Sequence, residues 1–359
     1  MLPMSLEKDY VKRQSDMGKS IFDQVDAGGI TAKNRIMVAA TWHAMSDEEG
    51  HVTPEIVEIY RELAQGGVGI IDFESTGVRD LDGRAQGVVR LDRDELIPEF
   101  AALVDAVHEE GTPIIVQLAL NKFLRPEKDG LYYVPVALIT RDEIEKLKSD
   151  FISAAIRAKK ARFDGIQIHA AHGTLLGNFL SPDINLRQDE YGGSLENRAR
   201  IVIEMMHGIK KECGRDYPVC VKINSSDLGY GGFELQDCIE TCRMLEKEGI
   251  DAIEVSVNGP SFGGIKAGKN EAFLADNSKA IKANVSVPIM MTGGLRSVET
   301  MNRLLEEDVA DLFTLSRPLI REPGLVARWQ SGDTSPAKCV SCNRCFSMPG
   351  HTCALGVIR

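Results

Sequence analysis

The sequence lacks three features that would define other classes of protein. No apolar run approaches the ~20 residues of a membrane span, and the N-terminal segment has no apolar stretch of the signal-peptide type. Basic residues are outnumbered, 42 against 53 acidic ones, which gives a net charge of −11. This balance argues against non-specific binding to nucleic acid, which needs clustered Lys and Arg. We therefore expect a cytoplasmic protein with no membrane or nucleic-acid partner.

Short apolar runs recur along the chain, with helical patterns between them. Strands buried on both faces are continuously apolar, and eight runs fit: Arg35–Ala40, Val68–Glu74, Pro113–Leu118, Gly165–His169, Val219–Asn224, Ala252–Val257, Pro288–Thr292 and Leu312–Ser316. Helical periodicity marks Glu143–Arg162, Leu195–Cys213, Leu235–Glu248 and Val298–Glu307. Eight βα units predict a (β/α)8 TIM barrel of the α/β class. A doubly wound sheet would need a glycine-rich turn after the first strand, where Ala39–Met45 contains no glycine.

Four of the eight cysteines lie near the C-terminus, beyond the polar, turn-forming segment Ser331–Lys338. We predict a barrel over residues 1–330 and a cysteine-rich extension over residues 331–359. The four are spaced C-x2-C-x2-C-x7-C, at Cys339, Cys342, Cys345 and Cys353. In a reducing cell this spacing favours a metal or iron–sulfur site over disulfides. An iron–sulfur cluster, a zinc ion and unliganded thiols all remain open.

Glycines follow the last two predicted strands, where barrels commonly bind phosphate. Thr292-Gly293-Gly294 comes after strand seven, and Ser316-Arg317 comes after strand eight. Backbone N–H groups of such loops, with a cation beside them, suit a phosphate group. Polar residues also end the other strands, among them His169, Lys222 and Ser256. The sequence therefore predicts a functional site at the carboxyl ends of the strands.

The segment after strand four carries a family resemblance. It contains His169–Leu175 (HAAHGTL), Phe179–Pro182 (FLSP) and Arg187–Arg198 (RQDEYGGSLENR). These blocks resemble the old yellow enzyme family of FMN-dependent ene-reductases, in the branch of bacterial 2,4-dienoyl-CoA reductase and trimethylamine dehydrogenase. Further matches follow in barrel order from about residue 20 to residue 330. The resemblance implies an FMN cofactor and NADH or NADPH as the reductant.

The resemblance also implies individual roles around the flavin. Gln117 would hydrogen-bond the pyrimidine side, and Lys222 would stand beside flavin N1, where the family usually has Arg. A cation at that place stabilises the negative charge of the reduced ring. The flavin ring would be lined by Ala39, Ala40, Thr41, Trp42 and Ser75. The phosphate would be held by Gly293, Gly294, Ser316 and Arg317.

His169 and His172 would bind the substrate oxygen and, with Lys222, form the expected catalytic set. Two departures from the family concern the chemistry. Thr174 replaces the tyrosine that donates a proton, and a Thr hydroxyl is too weak an acid for that role. Trp42 stands at the position that tunes the flavin potential, and a shift of one residue would give that position to His43. The loop after strand three also departs from the family pattern, which leaves the substrate undefined.

The resembled branch has a [4Fe–4S] cluster at the chain position of the four late cysteines. Cys339, Cys342 and Asn343 match its pattern, whereas Cys345 and Cys353 arrive earlier than in the family. The resemblance therefore favours a cluster, held at compressed spacing, over zinc. It assigns all four cysteines to the metal.

The function predicted from these observations is hydride transfer from NAD(P)H, through FMN, to an activated C=C of a small unsaturated carbonyl compound or acid. Two alternatives stay open: a lyase or aldolase that uses Lys222 as a Schiff-base nucleophile, and a non-catalytic flavin or iron–sulfur electron carrier. Because the larger relatives continue into further nucleotide-binding domains, we expect either a stand-alone barrel, which could form a homo-oligomer, or one served by a separate reductase.

Overall fold

The structure is a computed structural model that describes residues 19–80, 87–122, 124–127, 130–228, 232–258 and 262–359. Eight strands close a parallel barrel in which the order around the ring is the order along the chain. The strands in chain order are β1 (Val25–Asp26), β2 (Thr31–Ala32), β3 (Ile36–Val38), β4 (Ile70–Gly77), β5 (Ile114–Ala119), β6 (Leu124–Glu127), β7 (Gly130–Tyr133), β8 (Gly165–Ala170), β9 (Val219–Asn224), β10 (Ala252–Ser256), β11 (Ile289–Met291) and β12 (Leu312–Leu315). The barrel is β3-β4-β5-β8-β9-β10-β11-β12, and the predicted (β/α)8 fold is confirmed.

Helices cover the outside of the barrel between the strands. They are α1 (Pro54–Gln65), α2 (Ile97–His108), α3 (Arg141–Lys160), α4 (Leu175–Leu180), α5 (Leu195–Cys213), α6 (Leu235–Lys247), α7 (Ala275–Lys282), α8 (Val298–Glu306), α9 (Arg317–Arg321) and α10 (Leu325–Gln330). Side-chain caps begin several of them: the Thr140 hydroxyl accepts from the N–H of Glu143 at the start of α3, and Ser297 does the same for Thr300 at α8. Across the described ranges, no helix combines the length and apolarity needed to cross a membrane.

The barrel strands are buried on both faces, as their sequences predict. Every residue of β5, β8 and β9 is buried, because helices cover one side and the packed barrel interior covers the other. The four scattered cysteines, Cys213, Cys220, Cys238 and Cys242, are buried as expected for small core residues. The interior also holds polar side chains, described below.

Two hairpins and a short helix were missed by the pattern of apolar runs. The β1–β2 hairpin precedes the first barrel strand, and the β6–β7 hairpin follows β5. Helix α4 lies within the long segment after β8, immediately beyond the HAAHGT block. These elements are too short, two to six residues, to produce a periodic pattern. Buried residues of the β1–β2 hairpin, Ala32 among them, belong to one apolar cluster with Ile70 and Ile115 of the barrel strands.

The cysteine-rich extension folds back onto the barrel. The Ala337 N–H donates to the Arg296 carbonyl at 2.8 Å, and Arg296 in turn donates to the Ser341 hydroxyl at 2.6 Å. Further along, the Ile358 N–H donates to the Arg321 carbonyl at 2.8 Å. The extension therefore contacts the loops after β11 and β12, beside the predicted phosphate site. The division at residues 330 and 331 remains a prediction about how the chain is organised.

Candidate active site

A cavity of about 320 Å³ opens at the carboxyl ends of the barrel strands. This volume is in the range of small-molecule sites. Nine of the residues predicted for the site line it: Ala39, Ala40, Thr41, His172, Lys222, Gly293, Gly294, Ser316 and Arg317. The two cations Lys222 and Arg317 belong to β9 and to the segment after β12, three strands apart on the rim. The cavity wall therefore carries a cation at each of two separate places.

The loop after β11 leaves room for a ligand because it is made of glycine. Gly293 has φ +112° and Gly294 has φ +79°, conformations that L side chains rarely adopt. A Cβ at Gly293 would lie 3.1 Å from the Cβ and backbone N of Leu274, and one at Gly294 would lie 3.0 Å from a ring carbon of Phe273. Both the backbone conformation and the packing thus require glycine. Glycines in this pattern, with Arg317 alongside, fit the phosphate end of a flavin nucleotide.

Hydroxyl and guanidinium groups complete this end of the cavity. The Thr41 and Ser316 hydroxyls hydrogen-bond each other at 2.8 Å. Arg317 donates to the Phe262 carbonyl at 2.8 Å and to the Asn343 side chain. These contacts tie the phosphate-side cation to the cysteine-rich extension. Arg296, which the sequence alone did not single out, also lines the cavity and is almost fully buried.

The other end of the cavity contains a buried ion pair. Lys222 Nζ lies 3.0 Å from Glu254 Oε1, and the two side chains are 5% and 0% exposed. The second Glu254 oxygen accepts from Gln167 Nε2 at 2.8 Å, and Gln167 Oε1 accepts from Gln117 Nε2 at 2.6 Å. Gln117 is therefore buried behind the cavity rather than part of its lining. Its predicted contact with the flavin pyrimidine stays a prediction.

The two histidines meet edge to face, with ring centroids 5.1 Å apart. His172 Nε2 lies 2.6 Å from the Ser256 hydroxyl, and its backbone N–H donates to Asn224 Oδ1 at 3.1 Å. Burial, together with the charge of Lys222, lowers the pKa of His172 to about 3. Burial also holds the pKa of His169 well below its ordinary value, with smaller contributions from His172 and Lys222. The His169 ring is therefore neutral near pH 7 and lies behind the cavity, whereas His172 lies in the cavity lining and is open to solvent.

Thr174 does not face the cavity. Its hydroxyl is directed at the carbonyls of His169 and Ala171, at 3.0 and 2.9 Å, and the residue is buried. A hydroxyl bonded to backbone carbonyls has its proton committed to them. This geometry agrees with the expectation that Thr174 delivers no proton to a substrate.

Trp42 and His43 both turn away from the cavity lining. The Trp42 indole N–H donates to the Gly87 carbonyl at 2.9 Å, and its ring meets His351 edge-on at 5.1 Å. The His43 ring is buried, and Nδ1 lies 3.3 Å from the Gly350 carbonyl. Burial lowers the pKa of His43 to about 4. Which of the two residues influences the flavin remains a prediction.

Ser75 occupies an irregular part of β4. The register between β4 and β5 shifts between Phe73 and Thr76, and Ser75 is the half-buried residue inside this interval. Such irregularities often re-aim side chains near sites. Ser75 is outside the lining of the large cavity, and its role toward the flavin stays a prediction.

The four late cysteines line one small cavity of about 20 Å³. Arg321 donates to Cys353 Sγ at 3.5 Å, and Arg296 lies 4.0 Å from Cys339 Sγ. Within the described ranges, no three His, Cys, Asp or Glu side chains converge closely enough to hold a single metal ion. The assignment of the four cysteines to a metal or an iron–sulfur cluster therefore stays a prediction.

Sequence reasoning missed Glu254, Gln167 and Arg296. The first two are polar residues in the middle of otherwise apolar strands, in GIQIHA and AIEVS. That pattern was visible, because a polar side chain inside a closed barrel needs a partner there. Arg296 follows the glycine loop in sequence, and its contacts with the extension depend on the fold.

A barrel with a cavity of this kind, walled by a glycine loop and two cations, has a site for a phosphate-bearing ligand at the carboxyl ends of its strands. A family model described as the NADH:flavin oxidoreductase / NADH oxidase family matches residues 20–335. The chain belongs to this family. The resemblance to old yellow enzyme relatives is thereby confirmed, as are FMN and NAD(P)H as the cofactor and reductant of the family.

Individual relatives differ in how much of their length the chain matches. It is 31% identical over 350 residues to an NADH oxidase of Thermoanaerobacter brockii, covering 90% of this chain and 53% of the relative. It is 30% identical over 323 residues to an NADPH dehydrogenase of Listeria welshimeri, covering 84% and 92%. The chain thus spans about half the length of the first of these curated relatives and nearly all of the second.

Solved structures give the same picture. A 2-naphthoyl-CoA reductase in complex with 2-naphthoyl-CoA superposes with a TM-score of 0.83 at 28% identity, covering 91% of this chain and 54% of the other. An old yellow enzyme homologue from Zymomonas mobilis superposes with a TM-score of 0.72 at 25% identity, covering 89% and 94%. The barrel fold is therefore shared with one structure that it covers almost completely and with one of about twice the matched length.

Proposed function

We propose that this protein transfers hydride from NADH or NADPH, through FMN, to an activated C=C of a small α,β-unsaturated carbonyl compound or acid. The observation that carries the proposal is the cavity itself, with a glycine loop and Arg317 at one part and Lys222 and His172 at another. Bound FMN would supply the hydride carrier. The protein's own groups bind it, orient the substrate and stabilise charge.

Lys222 and Arg317 would stabilise the negative charges of the bound cofactor. Gly293, Gly294, Ser316 and Arg317 would hold the phosphate, because they offer backbone N–H groups, a hydroxyl and a cation. Lys222 would stand beside the pyrimidine ring, where negative charge collects when the ring is reduced. Removing one such preorganised group typically costs about 10²–10³ in rate. The proposed flavin surroundings are completed by Trp42, Ser75, Ala39, Ala40, Thr41 and Gln117.

His169 and His172 would activate the substrate. A neutral imidazole N–H donates a hydrogen bond to a carbonyl or carboxyl oxygen and so draws electron density from the conjugated C=C. The Ser256 hydroxyl, 2.6 Å from His172 Nε2, fixes the orientation of that ring. Since Thr174 is bonded to backbone carbonyls, the proton that completes the reduction comes from water or from another group.

The lyase alternative is less compatible with the site. A Schiff-base lysine must present a free amine to the substrate. Lys222 Nζ instead lies 3.0 Å from the fully buried carboxylate of Glu254. An ion-paired amine is a poor nucleophile, so we favour the electrostatic role for Lys222.

The test is anaerobic NAD(P)H oxidation with 2-cyclohexenone, using cyclohexanone as the saturated control and product analysis by gas chromatography. We expect turnover with the enone alone. Lys222→Met should lower the rate about 10²-fold or more, whereas Lys211→Met, at a surface lysine whose side chain is 82% exposed, should leave it unchanged. FMN-loaded protein that reduces no enone with either nucleotide would contradict the proposal and favour an electron carrier.

For the extension, we propose a [4Fe–4S] cluster held by Cys339, Cys342, Cys345 and Cys353. Support comes from the shared cavity of the four thiols and from the arginines beside two of the sulfurs. Protein purified without air should contain iron and acid-labile sulfide in equal amounts, and Cys342→Ser should lose both. Zinc without sulfide, or no metal at all, would refute the assignment.

We expect this activity in the cytoplasm, because a reducing compartment keeps the four thiols available and supplies NAD(P)H. A separate reductase partner is required only if neither nucleotide reduces the flavin directly. Homo-oligomer formation is a further expectation, measurable by sedimentation. We also propose that residues 331–359 form an extension added to a barrel of residues 1–330.

A further inference from the structure

Two buried acids, Asp72 and Glu254, lie inside the barrel near the cavity, and the proposed reaction uses neither. Both are fully buried. Asp72 belongs to β4 and Glu254 to β10, and the charge of Glu254 raises the pKa of Asp72. Barrel interiors are mostly filled by apolar branched side chains. A pair of acids at this place therefore requires a physical reason.

Donor groups surround the Glu254 carboxyl group. Lys222 Nζ lies 3.0 Å from one oxygen, and Gln167 Nε2 donates to the other at 2.8 Å. A carboxylate is an acceptor only, and here both of its oxygens meet donors. The low exposure of the ion pair, 5% and 0% for the two side chains, keeps water from screening it.

A relay of carboxamides continues from Glu254. Because an ionised Glu254 can only accept, Gln167 must turn its NH2 group toward it. Gln167 Oε1 then accepts from Gln117 Nε2, at 2.6 Å. In this arrangement Gln117 Nε2 donates to Gln167, so the Oε1 atom of Gln117 takes no part in the relay. Glu254 therefore also determines which Gln117 atom can hydrogen-bond a neighbour such as a flavin ring.

Asp72 has different surroundings. Among the described residues, no side chain donates to either of its carboxyl oxygens, and its hydrogen bond comes from the Ala40 backbone. An ionised carboxylate buried with so few donors is unfavourable. Burial, and then the negative charge of Glu254, raise the pKa of Asp72 well above its usual range, against the smaller opposing effects of Lys222 and of the Ala40 hydrogen bond. The two acids therefore differ: Glu254 is ion-paired with Lys222, whereas burial favours the neutral form of Asp72.

We propose that Glu254 is a positioning residue for the flavin, whose carboxylate balances the Lys222 ammonium and so lowers the reduction potential of the cofactor, while Asp72 contributes no charge. The inference rests on the proposed function, because it requires FMN beside Lys222. A cation near the pyrimidine ring favours the reduced, negatively charged flavin. An anion bonded to that cation weakens the preference and makes the reduced flavin a stronger electron donor.

The test compares two nearly isosteric variants by redox titration of the FMN-loaded protein against reference dyes. Glu254→Gln removes the charge and keeps an acceptor for Lys222, so the potential should rise by about 30 mV or more, a tenfold change in the two-electron equilibrium. Asp72→Asn should shift it by less than a third of that amount. An unchanged or lowered potential in Glu254→Gln, or an equal rise in Asp72→Asn, would overturn the inference.

A rescue experiment covers the case in which Glu254→Gln folds poorly. Lys222→Met leaves Glu254 buried without its partner and should weaken FMN binding tenfold or more. Adding Glu254→Gln to Lys222→Met should recover most of that loss, and a double variant as weak as the single one would also overturn the inference. Wild-type protein that binds no FMN would instead refute the proposed function, before any variant is compared.

Discussion

The glycine loop after β11 allows a quantitative prediction about flavin binding. In Gly293→Ala, the new Cβ would lie 3.1 Å from two atoms of Leu274, on a backbone with φ +112°. Holding a non-glycine residue in such a conformation costs about 1–3 kcal/mol, and overpacking a buried contact costs a further ~1–3 kcal/mol. Leu274 is only 4% exposed, so it has little freedom to move. The substitution should therefore cost at least about 2 kcal/mol in the loop geometry that the ligand needs.

If the loop of the apoprotein relaxes out of that geometry, the binding free energy of the flavin becomes less favourable by the same amount. A loss of about 2 kcal/mol weakens the affinity roughly 30-fold. Titration of apoprotein with FMN, followed by quenching of flavin fluorescence, measures the change. Gly332→Ala is a matched control, because Gly332 has φ +103° and an added Cβ would meet no atom within 4 Å. The control should lose some folding stability in urea and keep its FMN affinity. Equal affinities in both variants would refute the phosphate role of the loop.

Three further predictions concern single contacts or groups. Trp42→Phe removes the bond to the Gly87 carbonyl and should lower the free energy of unfolding in urea by about 1 kcal/mol, and an unchanged value would contradict the contribution of that contact. Ser256→Ala frees the His172 ring and should raise the KM for an enone several-fold, and an unchanged KM would contradict the orienting role. Burial raises the pKa of Glu74 to about 8 from an ordinary 4.5, so the folded protein holds a proton that the unfolded chain releases. This contribution to stability is complete below about pH 4.5 and is lost as the pH rises through about 8. Glu74→Gln should therefore gain stability over wild type as the pH rises across that interval, and a constant difference would contradict the raised pKa.

The barrel and much of the site could be predicted because they depend on local pattern. Continuous apolar runs such as Val219–Asn224 form strands wherever both faces are covered, and here that strand has the predicted bounds. A polar residue near the end of such a strand then lies at the rim, as Lys222 does. Strand order along the chain is also strand order around the barrel, so rim residues can be placed without knowing any contact.

Side-chain direction could not be predicted in the same way. Trp42 turns toward Gly87 and His351, and the second of these is 309 residues away in sequence. The partnership of Lys222 with Glu254 depends on the register between β9 and β10, which places the two directly opposite each other. The return of the extension onto Arg296 depends on a contact across 45 residues. Such long-range packing has no signature in local periodicity.

The most direct test of flavin binding is an absorption spectrum of the protein purified without air, before and after addition of NADPH or NADH. We predict flavin bands in the visible region that bleach when one of the nucleotides is added, and that return when an enone is supplied. A colourless protein that also fails to take up added FMN would contradict the central claim that the cavity between Lys222 and Arg317 is a flavin site.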